Sequence, residues 1–347
     1  MKKKIFFHFG MHKTGSSYIQ TLLANAKSEL KQERVFLPED HRAKLILNGV
    51  PTAGNGLKLS RLIKLGKLEE AFALVSHDQE LAEVENCDSL LYSSESFFHL
   101  FQYHAANWLS FEQLLIGKDI ELKGLLFFRD PVEHIISTFR HRFKDNYIDF
   151  ERWLANDYET HKIIKNFLEV KPTLETDFGY RNYSANKRHL SKCVFEEWLG
   201  YNWSPFIKNE TVNKSLNISD IYLGHLLRPI LFPNEYKSFL VKLLALDDNL
   251  KPNEESYIEN LINKTSDYLL KYRNLFEEIN KLLPVNEALQ WQYINKQDVE
   301  IQQTISFSNA QLEIYSKYLQ NVQKSSLKRS LKIIRKELFK ILKMDRN

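Results

Sequence analysis

Short apolar runs and amphipathic stretches alternate along the first 145 residues. Ile5-Phe6-Phe7-His8-Phe9 is a compact, Phe-rich run closed by Gly10, the pattern of a buried strand. Beyond a polar loop, apolar residues recur at Ile19, Leu22, Leu23, Ala26 and Leu30, a spacing that predicts a helix from about Ser16 to Lys31. Val35–Leu37 reads as a second short strand, stopped by Pro38. The glycine-rich stretch from Gly49 to Gly56 is a loop, and Leu57–Leu65 looks helical after it. Leu90–Ser93 and Leu122–Phe128 are two further strands. The latter ends at Arg129-Asp130-Pro131, where a helix should start. Pro131 suits the first helical position, Asp130 the N-cap, and Glu133 stands where a capping box places its acid. Beyond about residue 150 the strand signal fades. Helical periodicity then dominates Asp220–Leu246 and Glu254–Leu283.

Strands alternating with helices predict the α/β class: a P-loop-like three-layer fold whose central, mainly parallel sheet is flanked by helices, with a helical region at the C-terminus. Residues 1–246 are expected to form the α/β domain and 247–323 the helical region, with a soft boundary at Asp247–Pro252. Residues 324–347 read as a basic amphipathic helix.

Charge adds one feature. The whole chain of 347 residues carries a net charge of only +4, which gives no argument for nucleic acid. From Lys324 to Asn347, however, nine Lys or Arg face two acidic residues. Leu327, Leu331, Ile334, Leu338 and Ile341 recur there at helical spacing. Such a helix can lie on an anionic membrane or pack its apolar stripe on protein. No window holds 18 apolar residues, so no spanning helix is expected. The first apolar run is too short for a signal peptide, and a cytoplasmic location is expected, with peripheral contact at the inner membrane face through the tail. Cys87 and Cys193 have no ligand-like spacing and read as buried free thiols.

Two segments carry candidate chemistry. His12-Lys13-Thr14-Gly15-Ser16-Ser17 joins the first strand to its helix. A helix N-terminus presents N–H groups and the positive end of its dipole. Gly15 permits close approach of an anion, and Lys13, Ser16 and Ser17 add donors, which makes a phosphate cradle. The lysine precedes the loop glycine, so this is not a Walker A loop. The second segment runs from Leu125 to Ser137. Arg129 leaves the carboxyl end of a strand, where ligands bind in open α/β sheets, and Ser137 lies two turns into the following helix. Positions 130, 133, 134, 137 and 141 form a polar stripe, and 132, 135, 136, 139 and 143 an apolar one. Arg129 and Ser137 can clamp a second phosphate. Two anion sites on one sheet edge suit a ligand with phosphates at two ends of a nucleoside.

This combination resembles the sulfotransferase family. Lys13-Thr14-Gly15-Ser16-Ser17 looks like its 5′-phosphosulfate loop, and the run from Phe128 to Ser137 looks like its 3′-phosphate motif. The opening from His8 to Ser16 is similar to bacterial members associated with surface glycans, as are Leu91-Tyr92-Ser93-Ser94-Glu95 and Val212-Asn213-Lys214-Ser215-Leu216. The resemblance covers about residues 5–140, with the weaker echo near 211–216. It implies that 3′-phosphoadenylyl sulfate (PAPS) is the co-substrate and that no metal is used. The acceptor would be a hydroxyl or amine of a bacterial surface glycan or glycolipid precursor. Lys13 would stabilise the leaving phosphate, the N–H groups of Thr14 to Ser17 would hold the phosphosulfate, and Arg129 and Ser137 the 3′-phosphate. Glu95 would be the general base, with His12, His99 and His104 as other candidates. Trp153, Trp198 and Trp203 fit either a sugar cleft or the core, the core being the commoner place. Two other readings stay open at this level: a P-loop kinase or phosphotransferase that needs Mg²⁺ and ATP, and a non-catalytic nucleotide-binding scaffold.

Overall fold

A computed structural model describes residues 3–39, 54–145, 148–202, 216–291 and 305–320. Five strands form one sheet: β1 (Lys4–Phe9), β2 (Val35–Phe36), β3 (Ser89–Ser94), β4 (Glu121–Phe128) and β5 (Asp177–Asn182). Their order is β2-β3-β1-β4-β5, and every pairing is parallel. This is the α/β architecture that the alternation of strands and helices predicts.

The apolar run of β1 is continuous because the central strand is covered on both faces. Alternate residues sort to opposite sides. On one side Phe6 joins Leu91, Leu125 and Phe127 under Ile19, Leu22 and Leu23 of the helix Ser16–Asn25. On the other side Phe7 and Phe9 meet Trp108 edge-on at 5.2 and 4.9 Å, and Phe9 lies 5.0 Å from Phe178. Trp198 packs edge-on against Phe6 at 5.5 Å and is partly buried against this core. Cys87 and Cys193 are buried free thiols.

The structure corrects three expectations. The helix expected from Ser16 to Lys31 is interrupted at Ala26 (φ −91°, ψ 12°), giving Ser16–Asn25 and Lys27–Gln32. β5 gives no strand signal in the sequence, because it is a half-exposed edge with Asp177, Gly179 and Arg181 among its six residues; such polar content is normal at sheet edges. His134, read as part of an exposed polar stripe, is only 1% exposed.

The chain forms two compact units that are interleaved along the sequence. One comprises Met1–His134, Tyr158–Asn213 and Leu269–Trp291, and the other Ile135–Asp157, Lys214–Tyr268 and Gln292–Asn347. The sheet belongs to the first. Asp247–Pro252 falls inside the second. There Phe139 contacts Phe143, Phe150 and Trp153 at 5.2, 4.9 and 5.6 Å, so Trp153 is a core residue. The Asp220 carboxylate accepts from Lys251 at 2.9 Å and from Gln311 at 2.6 Å, both partners being buried. Trp203, the segment 211–215 and the basic tail 324–347 lie outside the described residues. Among the described residues no helix is long and apolar enough to cross a membrane.

His8 and His134 are buried, and burial lowers each pKa to about 3. An unfolded histidine titrates near ~6.5. Between these values the unfolded chain binds more protons, so their contribution is complete above pH ~6.5 and declines below it. Each should cost about 1.4 kcal/mol by pH ~5.5. The urea midpoint should therefore fall between pH ~7.5 and ~5.5. His8→Asn keeps a polar partner for Ser93, which lies 2.8 Å from His8 Nδ1, and should shrink that fall; an unchanged pH slope would contradict the assignment.

Candidate active site

Strand register delivers the site. β1 ends at Phe9 opposite Ser94 of β3. Gly10 and Glu95 therefore leave the sheet side by side, and Gly10 N donates to Ser94 O at 3.2 Å. β4 ends at Phe128 opposite Asn182 of β5, so Arg129 and Tyr183 leave together. All four enter the loops beyond the carboxyl edge of the sheet, where open α/β folds bind ligands.

The loop from His12 to Ser17 has alternating backbone handedness. Lys13 and Gly15 have φ of 63° and 78°, whereas Thr14 and Ser16 are not in the positive-φ region. Alternation of this kind turns successive N–H groups into one concavity that binds anions. The helix Ser16–Asn25 begins directly behind it, with Gly15 as its N-cap, and adds the N–H groups of its first turn. Thr14 Oγ1 donates to Met11 O at 2.5 Å and braces the turn from within.

Arg129 and His134 brace it from outside. Arg129 Nη1 donates to Lys13 O at 2.8 Å. His134 Nε2 lies 3.0 Å from His12 O. Arg129 also pairs with Glu133 at 3.3 Å and lies over the Tyr183 ring, 5.2 Å from its centroid. These bonds occupy three of the five guanidinium N–H groups. The segment after β5 is fixed in turn. Ser184 Oγ donates to Glu133 Oε2 at 3.0 Å, Asn182 Nδ2 to Asp130 Oδ1 at 2.8 Å, and Asn182 N to Glu287 Oε2 at 2.9 Å.

Glu95 is the first residue of the helix Glu95–Tyr103, and the cap is Ser94, whose side chain accepts from Ser96 N. Burial raises the Glu95 pKa above the usual carboxylate value, against the pull of Lys13 and of the Ser16 hydroxyl. Ser16 Oγ is near enough to exert that pull, yet it is buried with no hydrogen bond of good geometry. Both side chains crowd Gly10: a Cβ there would stand 2.4 Å from Ser16 Oγ and 3.1 Å from Glu95 Cγ. The strand end therefore needs glycine for a hydroxyl and a carboxyl to reach it.

The structure thus brings His12, Lys13, Thr14, Gly15, Ser16, Ser17, Glu95 and Arg129 to one edge of the first unit. His12 lies between two other imidazoles, parallel to His99 at 5.7 Å and edge-on to His134 at 4.8 Å. His104 stands nine residues beyond Glu95, just past the helix Glu95–Tyr103, about 13 Å along its axis. Ser137 is half-buried on the helix Pro131–Asp145 and belongs to the second unit. Sequence reasoning missed Tyr183, Asn182 and Ser184, which follow from the unrecognised β5. It also missed His134, whose helical spacing carries no signal of its burial.

The residues present fit a two-ended phosphate ligand: an N–H concavity, two glycines that keep it open, a buried hydroxyl and an arginine with donors to spare. Among the described residues no group of three or more His, Cys, Asp or Glu is placed to hold a metal. The cleft at the opposite edge of the sheet offers no comparable field. Its Lys3, Lys31 and Arg34 are matched by Glu83, Glu85 and Asp88 at 2.6, 3.0 and 3.1 Å.

No family model matches the chain, and no curated protein matches it. A solved structure of a sulfotransferase from Alicyclobacillus acidocaldarius is similar over 65% of this chain and 91% of that one, with 15% identity and a TM-score of 0.34. A likeness at that level adds nothing to what the strand order and the loop geometry establish.

One added methyl group at Gly15 should do harm in two ways. Its φ is positive, and a Cβ would stand 2.7 Å from Tyr183 Cε2. Gly15→Ala should destabilise the protein by about 1–3 kcal/mol. Adding Tyr183→Ala should relieve the contact but not the backbone strain, so denaturation should show only partial recovery. Wild-type stability in Gly15→Ala would contradict this geometry.

Proposed function

We propose that the chain is a sulfotransferase that moves the sulfuryl group of 3′-phosphoadenylyl sulfate to a hydroxyl or amine of an acceptor. The observation that carries the reading is the 2.8 Å bond from Arg129 Nη1 to Lys13 O. It joins the two segments that resemble the family's 5′-phosphosulfate loop and 3′-phosphate motif.

The acceptor's oxygen or nitrogen attacks sulfur. The bond from sulfur to the bridging phosphate oxygen breaks, and adenosine 3′,5′-bisphosphate leaves with that electron pair. Lys13 and the N–H groups of Thr14 to Ser17 stabilise the charge that grows on the leaving phosphate. Arg129 and Ser137 take the 3′-phosphate, and binding at that remote end positions the sulfuryl group. Glu95 receives the acceptor's proton. Its burial supports this role, because a carboxylate held out of water is a stronger base than an exposed one. A glycan or glycolipid precursor of a bacterial surface is the acceptor class that the opening motif favours, at a cytoplasmic site. The basic tail would supply peripheral contact with the inner membrane face.

Adenosine 3′,5′-bisphosphate should raise the melting temperature, by a few degrees near ~100-fold excess over its Kd, whereas ATP with Mg²⁺ should not. Stabilisation by the triphosphate alone would replace this reading with a P-loop phosphotransferase. Lys13→Ala should lower turnover by about 10²–10³-fold. Glu95→Gln should spare bisphosphate binding and remove turnover.

The pH profile gives a separate check on Glu95. Activity should rise as the carboxyl loses its proton, along a limb displaced above the usual range of a glutamate carboxyl. A limb within or below that range would argue for another base.

A further inference from the structure

We propose that His134, oriented by Tyr158, is a positioning residue that sets the shape of the anion loop through its bond to the His12 carbonyl. The proposal deepens the reading above and rests on it only for the identity of the ligand.

Lys13 is held at φ 63°, a conformation that a residue with a side chain seldom adopts unless its surroundings impose it. Its φ and ψ describe the relative rotation of the two peptide planes that flank it. One plane carries the His12 carbonyl and the Lys13 N–H, the other the Lys13 carbonyl and the Thr14 N–H. His134 Nε2 holds the first carbonyl at 3.0 Å, and Arg129 Nη1 holds the second at 2.8 Å. Within a trans peptide the N–H points opposite to the C=O. Drawing both carbonyls toward these donors therefore turns the N–H groups of Lys13 and Thr14 the other way, as the anion concavity requires.

The direction of the His134 bond follows from its partners. A carbonyl only accepts, so Nε2 carries the proton. The ring is buried between cationic neighbours, Arg129 and Lys13, that favour its neutral form. Nδ1 is then an acceptor, and the Tyr158 hydroxyl lies 2.6 Å from it. A neutral ring that carries its proton on Nε2 can only accept at Nδ1, so the phenol proton is directed to it. Tyr158, His134 and the His12 carbonyl thus form one directed chain, with the tautomer chosen by Tyr158. A neutral donor here also avoids a third positive charge beside Lys13 and Arg129.

Gln and Asn separate this role from simple packing. His134→Gln places an amide donor near the former Nε2 and can still reach the His12 carbonyl. His134→Asn can keep the Tyr158 contact but falls short of the loop. Amide hydrogen exchange of the 12–17 segment and calorimetric affinity for adenosine 3′,5′-bisphosphate should be measured on both, with melting temperatures. His134→Asn should accelerate loop exchange and weaken binding tenfold or more, while His134→Gln should stay within about threefold of the parent in both. Should His134→Asn not fold, Tyr158→Phe replaces it and should likewise speed loop exchange. Equal behaviour of the Asn and Gln variants, or parental loop exchange in Tyr158→Phe, would overturn the proposal. If the parent binds no bisphosphate, the proposed function fails, while the exchange comparison still decides the role of His134.

Discussion

Two side-chain donors, Arg129 and His134, hold consecutive carbonyls of the His12–Ser17 loop, and the proposed anion site rests on that constraint. A six-residue turn between a strand and a helix has many conformations. Fixing two adjacent peptide planes selects one in which the N–H groups converge. Both donors come from the junction between β4 and its helix, so the loop after one strand is shaped by the loop after its neighbour. The same guanidinium that pins the loop keeps donors for a ligand, which would couple the two halves of the proposed two-ended site.

The parallel sheet makes this coupling possible. β1 is central, and its pairing with β3 and β4 aligns the loop, Glu95 and Arg129 at one edge. Burial on both faces forbids a slip of register, since moving one residue would exchange the Phe6 and Phe7 faces. β5 adds Tyr183, whose ring stands between Gly15 and Arg129. Position, more than residue type, is what the fold supplies to the chemistry: Glu95 is an ordinary carboxyl until burial and Lys13 surround it.

β1, β3 and β4 were legible because both faces are covered and each holds a continuous apolar run. The loop and Arg129 were legible because glycine, lysine and arginine at strand ends have few alternative uses. β5 was not, because an edge strand shares its polar content with loops. His134 was hidden for a different reason. On a helix a buried histidine with two satisfied nitrogens has the same spacing as a solvated one, and only the neighbouring β1 loop and Tyr158 decide between them. The break at Ala26 was equally invisible, since the apolar spacing of Ile19, Leu22, Leu23 and Leu30 runs across it.

The central claim is that the alternating backbone of Lys13 to Ser16 is an anion cradle joined to Arg129. A crystal structure of the protein with adenosine 3′,5′-bisphosphate tests it most directly. The 5′-phosphate should accept hydrogen bonds from the N–H groups of Thr14 to Ser17, with the 3′-phosphate on Arg129. A nucleotide bound elsewhere, or a loop whose carbonyls and not its N–H groups face the phosphate, would contradict the account.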